Sequence, residues 1–204
     1  MKCEFAVTLS AAALSLALLF PNSTQAQSNT SAQSGEQEAM QMVPARVALK
    51  QNVDANRVKQ GDQIRTVLAG KVFLKNGTEL PAGTSILGVV AMDDMNLTGT
   101  SKLALDFNKA ELKDGKVVPI KATMVGVYPP ESEDANGYPV EPGDQELDNW
   151  AHRSVDVDEI DALPGVDLHS KIASNNSGVL VSTSKHDMKL KWGSEIALAV
   201  APVS

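Results

Sequence analysis

From Val43 onward, short segments of alternating apolar and polar residues follow one another, separated by turn residues. A period of two is typical of β-strands that bury one face against a core. The clearest example is residues 102–107, where Leu103, Leu105 and Phe107 share one face. Apart from an apolar run at the N-terminus, no long stretch of the sequence follows the helical period. The pattern therefore predicts an all-β domain.

Glycines interrupt several of the predicted strands and indicate where these strands bend. Gly70 lies inside the segment 63–74, and Gly88 lies inside the segment 84–92. An interior glycine marks a bulge or a sharp bend, as at the corners of small barrels. We expect a small β-barrel whose C-terminal strand closes the sheet. Its main strands are expected at residues 46–50, 63–74, 84–92, 102–107, 117–128, 166–170, 179–182 and 195–200.

Turn signals between these strands include a weak internal repeat. Residues 59–62 predict a turn around Gly61, Asn76-Gly77 predicts a type I′ hairpin turn, and Pro81 predicts a corner. Residues 75–90 align without gaps on residues 113–128, which predicts a duplicated hairpin unit in a pseudo-symmetric barrel. General similarity among β-rich segments is the alternative. The identical pairs are Lys75/Lys113, Gly77/Gly115, Pro81/Pro119, Gly88/Gly126 and Val89/Val127.

The N-terminus has the features of a secretory signal peptide. Lys2 precedes an apolar run at residues 5–20, and small residues lead to a cleavage site between Ala26 and Gln27. A membrane anchor is the alternative, but this run is shorter than the roughly 20 residues that span a bilayer. We expect an exported protein, periplasmic or extracellular after cleavage, without a transmembrane span in the mature chain. The lone cysteine, Cys3, would leave with the signal peptide, so the mature chain would have neither a disulfide nor a thiol nucleophile.

The predicted domain organisation follows from composition. Residues 1–26 are the signal peptide, and the Ser/Gln/Asn-rich residues 27–42 are a disordered polar linker, because they cannot bury enough apolar surface to fold. Residues 43–204 are expected to form a single β-barrel domain. Within it, residues 129–165 are expected to form a long acidic loop between strands, with Trp150 packed on the barrel and a short helix near residues 145–153.

Acidic charge is concentrated in this loop. The chain has a formal net charge of −7, yet residues 131–161 alone contain eleven Asp and Glu against one Arg. The rest of the mature chain is slightly basic, and it has no basic stripe interleaved with aromatic residues. Nucleic acid is therefore not an expected partner. The acidic loop is a candidate contact surface for an envelope protein, another basic partner or a divalent cation, and the sequence gives no oligomeric state.

Candidate catalytic and metal-binding groups do not form a coherent set. The histidines are His152, His169 and His186, and none pairs with another at the spacing of metal ligands. A calcium loop is conceivable at residues 156–161, but the glycine and the final glutamate that such a loop requires are missing. Neither a nucleophile elbow nor a phosphate loop is present. We therefore assign no catalytic, cofactor-binding or metal-ligating residue.

Several of these motifs carry a resemblance to a known family. Leu80-Pro81-Ala82-Gly83-Thr84 with Gly88, the alternating run at residues 103–107, and Asp114-Gly115 resemble the barrel domain of TrbI-type conjugation and type IV secretion proteins. Short exported bacterial β-barrel proteins are similar too. The resemblance covers roughly residues 43–128 and 179–200. It implies a small β-barrel and a role related to secretion or conjugation. The chain departs from the family by lacking its membrane-spanning helical antenna, because residues 129–165 are too acidic to enter hydrocarbon.

Two functions remain open at the level of the sequence. The first is a non-enzymatic, exported β-barrel domain that acts by binding or assembly in the bacterial cell envelope. The second is a barrel that cuts or binds cell-wall glycans, because some secreted double-psi barrel enzymes pair an Asp with a His. His169, His186 and Asp187 are the residues that this alternative would use.

Overall fold

A computed structural model describes residues 41–130, 156–184 and 188–203. This part of the chain is all-β, as predicted. Its strands, numbered along the chain, are β1 (Val43–Leu49), β2 (Val53–Asp54), β3 (Gln63–Leu68), β4 (Val72–Phe73), β5 (Glu79–Leu80), β6 (Ser85–Ala91), β7 (Ser101–Glu111), β8 (Val117–Tyr128), β9 (Asp156–Leu163), β10 (Val166–Lys171), β11 (Gly178–Ser182), β12 (Lys189–Leu190) and β13 (Glu195–Pro202).

Six antiparallel strands form a closed barrel. They follow one another in the order β6, β3, β1, β13, β8 and β7, and β6 pairs with β7 to complete the ring. Closure leaves these six strands without an exposed edge. The C-terminal strand β13 lies between β1 and β8, so it joins the two ends of the described chain.

The barrel interior follows the alternation seen in the sequence. Along β1, Ala45, Val47 and Leu49 are buried, and the other barrel strands contribute similar rows of aliphatic residues. Phe107 is fully buried, and its ring lies against Gly88 of the neighbouring strand. A Cβ atom on Gly88 would lie 2.6 Å from the ring, so this strand position requires glycine. The predicted bend at Gly88 therefore has a packing reason.

Three corners of the same design introduce β3, β6 and β13. Each has a glycine in the left-handed region: Gly61 at φ 90°, Gly83 at 81° and Gly193 at 84°. In each corner the backbone N–H of the residue after the glycine donates to the carbonyl of the residue two positions before the glycine, as in a type II turn. Each glycine N–H also donates to the adjacent barrel strand, to the carbonyls of Val90, Leu68 and Leu49. A buried isoleucine follows three residues after each glycine: Ile64, Ile86 and Ile196.

A second group of strands extends the barrel on one side. Residues 109–111 of β7 pair with β8, whereas residues 101–105 diverge from β8 and pair with β11. Strand β11 in turn pairs with β10, and β10 pairs with β9. Ser177 lies at the point of divergence, where its N–H donates to Leu105, its carbonyl accepts from the N–H of Met124, and its hydroxyl accepts from the N–H of Phe107. Since Ser177 bonds to both strands, it anchors the extension to the barrel.

The structure changes two expectations about the turns. Asn76 does not have a positive φ, and Gly77 alone lies in the left-handed region at 84°. Gly77 donates to Leu74, whose own N–H donates to Thr78, so the hairpin is a type I turn with a glycine bulge and not type I′. Residues 112–116 repeat this bonding. The internal repeat holds at these two turns but fails at the prolines, because Pro81 lies in a corner and Pro119 lies inside β8.

The predicted acidic loop is shorter than expected at its C-terminal end. Residues 156–163 form strand β9 at the edge of the sheet, and Pro164-Gly165 turns directly into β10. Asp and Glu are unfavourable in strands, so the sequence of residues 156–161 carries little strand signal of its own. Val157, only 4% exposed, supplies the buried contact that the acidic residues do not.

Other predictions fall outside the described residues. These are the signal peptide with its cleavage site at Ala26 and Gln27, residues 27–40 of the linker, and the acidic residues 131–155 with Trp150 and His152. The linker was expected to extend to residue 42, but Met42 is described and is fully buried in the barrel core. Within the ranges that the structure describes, no helix is long and apolar enough to cross a membrane.

Candidate functional site at the upper end of the barrel

The upper end of the barrel is the end at which β1 and β8 finish and at which β3 and β13 begin. The short strand β12 lies there and pairs with β2. One cleft lies on each side of β12, and both clefts include Lys189 and Lys191 in their walls. These two lysines are exposed, while Met188, which precedes them, and Leu190, which lies between them, are buried. Strand alternation thus presents both cations on the outer side of β12.

The proline cleft, lined by Pro129, Pro130, Pro164, Val166 and Met188 together with the two lysines, has a volume of about 250 Å³. It lies between the end of β8 and the turn from β9 to β10. Its walls are mainly apolar, and Lys189 and Lys191 add positive charge on one side. Proline side chains are rigid, so this surface has little conformational entropy to lose when it is covered.

The arginine cleft, lined by Asn52, Val53, Asp54, Arg57 and Val58 together with residues 189–191, has a volume of about 500 Å³. Asp54 Oδ2 lies 3.6 Å from Arg57 Nε and 3.6 Å from Lys189 Nζ. The described lining of this cleft therefore has one carboxylate, Asp54, and three cations, of which Arg57 and Lys189 lie near that carboxylate and Lys191 is the third. The lining carries a net positive charge at neutral pH and favours an anionic ligand group.

An exposed tryptophan stands at the same end of the barrel. Trp192 is 60% exposed and lies in the corner between β12 and β13. Its backbone N–H donates to Asn52 Oδ1 at 2.8 Å, and the backbone N–H of the next residue, Gly193, donates to the carbonyl of Leu49 at 2.8 Å. Lys50 Nζ lies 5.2 Å from the centroid of the indole ring, at cation–π distance. The backbone is thus fixed while the ring remains accessible.

The acidic residues considered for calcium do not converge. Asp158 Oδ1 lies 2.7 Å from His169 Nδ1, Asp156 lies 4.0 Å from Lys171 Nζ, and Asp161 Oδ1 accepts from the N–H of Gly165. Across the described residues, no group of three or more His, Cys, Asp or Glu side chains is placed to hold a metal ion. These carboxylates serve the hairpin of β9 and β10.

Of the histidines considered for glycan chemistry, the structure describes only His169. His169 lies on β10 directly opposite Asp158 on β9, and neither residue lines the two clefts. A carboxylate at this distance orients an imidazole, as in hydrolytic triads, but a triad also needs a nucleophile in reach of the ring. His186 and Asp187 lie outside the described residues.

Among the described residues, two carboxyl groups have displaced pKa values: the pKa of Asp93 is lowered and the pKa of Asp106 is raised. Burial alone would raise the pKa of Asp93, but hydrogen bonds from Lys102 and from the N–H groups of Leu97 and Met95 outweigh it, so this pKa is lowered. Burial raises the pKa of Asp106, and the hydrogen bond from Asn108 only partly offsets it. Asp93 bridges the β6–β7 loop and β7, so its role is structural.

The comparisons with known proteins gave structural similarity without sequence similarity. No protein-family model matches the chain, and no curated protein matches it. Among solved structures, the fold is similar to ComB10 of the Com type IV secretion system of Helicobacter pylori, with a TM-score of 0.36 and 11% sequence identity. The match covers 78% of this chain and 83% of that chain. A TM-score at this level carries no argument about function.

The patterns in the sequence did not single out Trp192 and did not predict the two clefts. A signal was present, because residues 59–64, 81–86 and 191–196 share the order x-x-Gly-x-x-Ile. The positions equivalent to Trp192 are occupied by Gln60 and Ala82, which are also exposed. This corner therefore does not require a tryptophan, and a functional reason for it is the better explanation.

Proposed function

We propose that this chain is an exported β-barrel protein that acts by binding a partner in the bacterial cell envelope, in a role related to secretion or conjugation. The observation that carries the proposal is the pair of clefts on either side of β12, with Lys189 and Lys191 in both walls. A rigid barrel with a concave and charged end is suited to hold a partner segment. The TrbI-type motifs at residues 80–88 and 114–115 support the link to secretion.

The proposal includes the processing of the chain. Residues 1–26 act as a signal peptide that is cleaved between Ala26 and Gln27, and the residues from Gln27 up to the buried Met42 act as a linker. Residues 43–204 form the working domain. The acidic residues 129–165 contribute a second contact surface, of which the described part is the edge strand β9 with Asp156, Asp158 and Glu159.

Site-specific photo-crosslinking tests the proposed binding surface. A photoreactive amino acid replaces Lys191 at the upper end in the tagged full-length chain, and a matched variant carries it at Lys116 in the β7–β8 turn. Both positions are exposed and lie at opposite ends of the barrel. We expect discrete adducts with envelope proteins from position 191 and few from position 116. Equal adducts from both positions, or none from position 191, would contradict the proposal.

The glycan-active alternative has its own test. Purified peptidoglycan is incubated with the mature protein and with the Asp187→Ala variant, and released fragments are measured. Under the binding proposal, neither protein releases fragments above the background. Hydrolysis by the wild-type protein that disappears in Asp187→Ala would favour the enzyme.

A further inference from the structure

The corner between β12 and β13 carries the most informative unexplained residue of the described chain. A surface tryptophan buries a large apolar area when a partner covers it, and tryptophan is enriched among the residues that dominate binding energy. Trp192 is 60% exposed on a corner whose two structural equivalents have Gln60 and Ala82 at the same place. The fold therefore supplies an internal comparison, and it shows that the indole is not needed to form the corner.

One cation contacts this tryptophan, and three others lie at the same end of the barrel. Lys50 lies over the ring, Lys191 precedes the ring in sequence, and Lys189 and Arg57 line the adjacent arginine cleft. Among the described residues that line the two clefts, Asp54 is the one acidic residue. The surface formed by Lys50, Arg57, Lys189, Lys191 and Trp192, here called the tryptophan surface, thus combines one aromatic anchor with four positive charges.

We propose that the tryptophan surface binds an acidic, extended polypeptide segment of a partner protein. Charge complementarity selects acidic side chains, because four cations face the ligand and one carboxylate opposes them. Lys189 and Lys191 are two residues apart on the exposed side of β12, about 6.6 Å along an extended chain, which matches alternate side chains of an extended ligand. Trp192 supplies the apolar contact that fixes the segment in place.

The concave shape of this end favours a polypeptide over a membrane surface. The clefts beside β12 have volumes of about 250 Å³ and 500 Å³, which side chains of a segment can enter and a flat bilayer cannot. Asp54 lies within the surface, 3.6 Å from both Arg57 and Lys189, and it would oppose anionic lipid headgroups at close range. This inference rests on the proposed function and names the chemistry of the partner.

The test measures the binding of a fluorescently labelled peptide of alternating glutamate and leucine to the mature protein. The same peptide with glutamine in place of glutamate and vesicles of phosphatidylglycerol serve as competing probes. Phe73→Ala is a matched control for Trp192→Ala, because Phe73 is 55% exposed and also has a lysine, Lys71, 4.9 Å from its ring centroid, but it lies at the other end of the barrel. Thermal melting confirms that both variants are folded.

We expect the glutamate peptide to bind in a salt-sensitive manner, and Trp192→Ala to raise its dissociation constant at least about tenfold. Lys50→Glu combined with Lys191→Glu is expected to have a similar effect, while Phe73→Ala changes the constant less than about twofold. Equal affinity for the glutamine peptide, equal loss in Phe73→Ala, or binding of the vesicles alone would overturn the inference. Crosslinks from position 191 without peptide binding would leave the proposed function in place and refute only the acidic partner.

Discussion

At the residue scale, Asp93 makes local hydrogen bonds that also make the stability of the fold depend on pH. Its carboxylate accepts from Lys102 Nζ at 2.8 Å and from the N–H groups of Met95 and Leu97 at 3.0 and 2.9 Å. These bonds hold its pKa below the ordinary value of 3.8. A lowered pKa in the folded state stabilises the fold above pH 3.8, and this contribution is lost as the pH falls through the folded-state pKa.

We predict that Asp93→Asn lowers the free energy of unfolding at pH 7 by about 1–3 kcal/mol, because an amide cannot replace all three bonds to the carboxylate. The difference from wild type should shrink as the pH falls below 3.8. Asp106→Asn is the control with opposite sign. Since burial raises the pKa of Asp106, its charge opposes folding at neutral pH, and its amide variant should melt at the same or a higher temperature. Melting curves at pH 3 and pH 7 measure both effects.

At the scale of single elements, local signals predicted most of the barrel strands, but they did not give every turn type or the partner of each strand. Strand alternation placed β1 and β6, because the apolar period and the burial pattern agree along both strands. The pairing of β6 with β7, which closes the ring, joins residues whose contact no local pattern encodes. Strand β9 was missed because its acidic residues suppress strand propensity, while the buried Val157 and the partner strand decide the outcome.

The three corners make a prediction of their own. Gly61→Ala should destabilise the fold by about 1–2 kcal/mol, because a side chain in the left-handed region strains the backbone. Its Cβ would have no atom within 4 Å, so packing adds nothing to this cost. Gly70→Ala is the matched control, since its Cβ also meets nothing within 4 Å and its φ lies outside the left-handed region. Equal denaturation midpoints for the two variants would show that the corners do not depend on glycine.

At the scale of the whole molecule, charge is divided between two parts of the described chain. Residues 41–130 and 188–203, which form the barrel and the tryptophan surface, carry 14 Lys and Arg against 9 Asp and Glu. Residues 156–171, which form the hairpin of β9 and β10, carry 1 Lys against 5 Asp and Glu. The acidic part is visible from composition alone, and it is a candidate contact surface. Fold geometry adds a second, basic surface that composition alone could not locate, because its residues come from two distant stretches of the chain, residues 50–57 and 189–192.

The last prediction concerns the processing that would deliver this barrel to the envelope. Expressed in bacteria with its own N-terminus, the chain should be recovered from the exported fraction with Gln27 as its first residue, because small residues precede a site after the apolar run at residues 5–20. Intact mass and N-terminal sequencing measure this. Limited proteolysis of that product should then cut first within residues 27–42, because β1 begins at Val43 and is paired on both sides with β13 and β3. A product that retains Met1 in the membrane fraction would instead identify residues 5–20 as an anchor, and the tryptophan surface would then act close to that membrane.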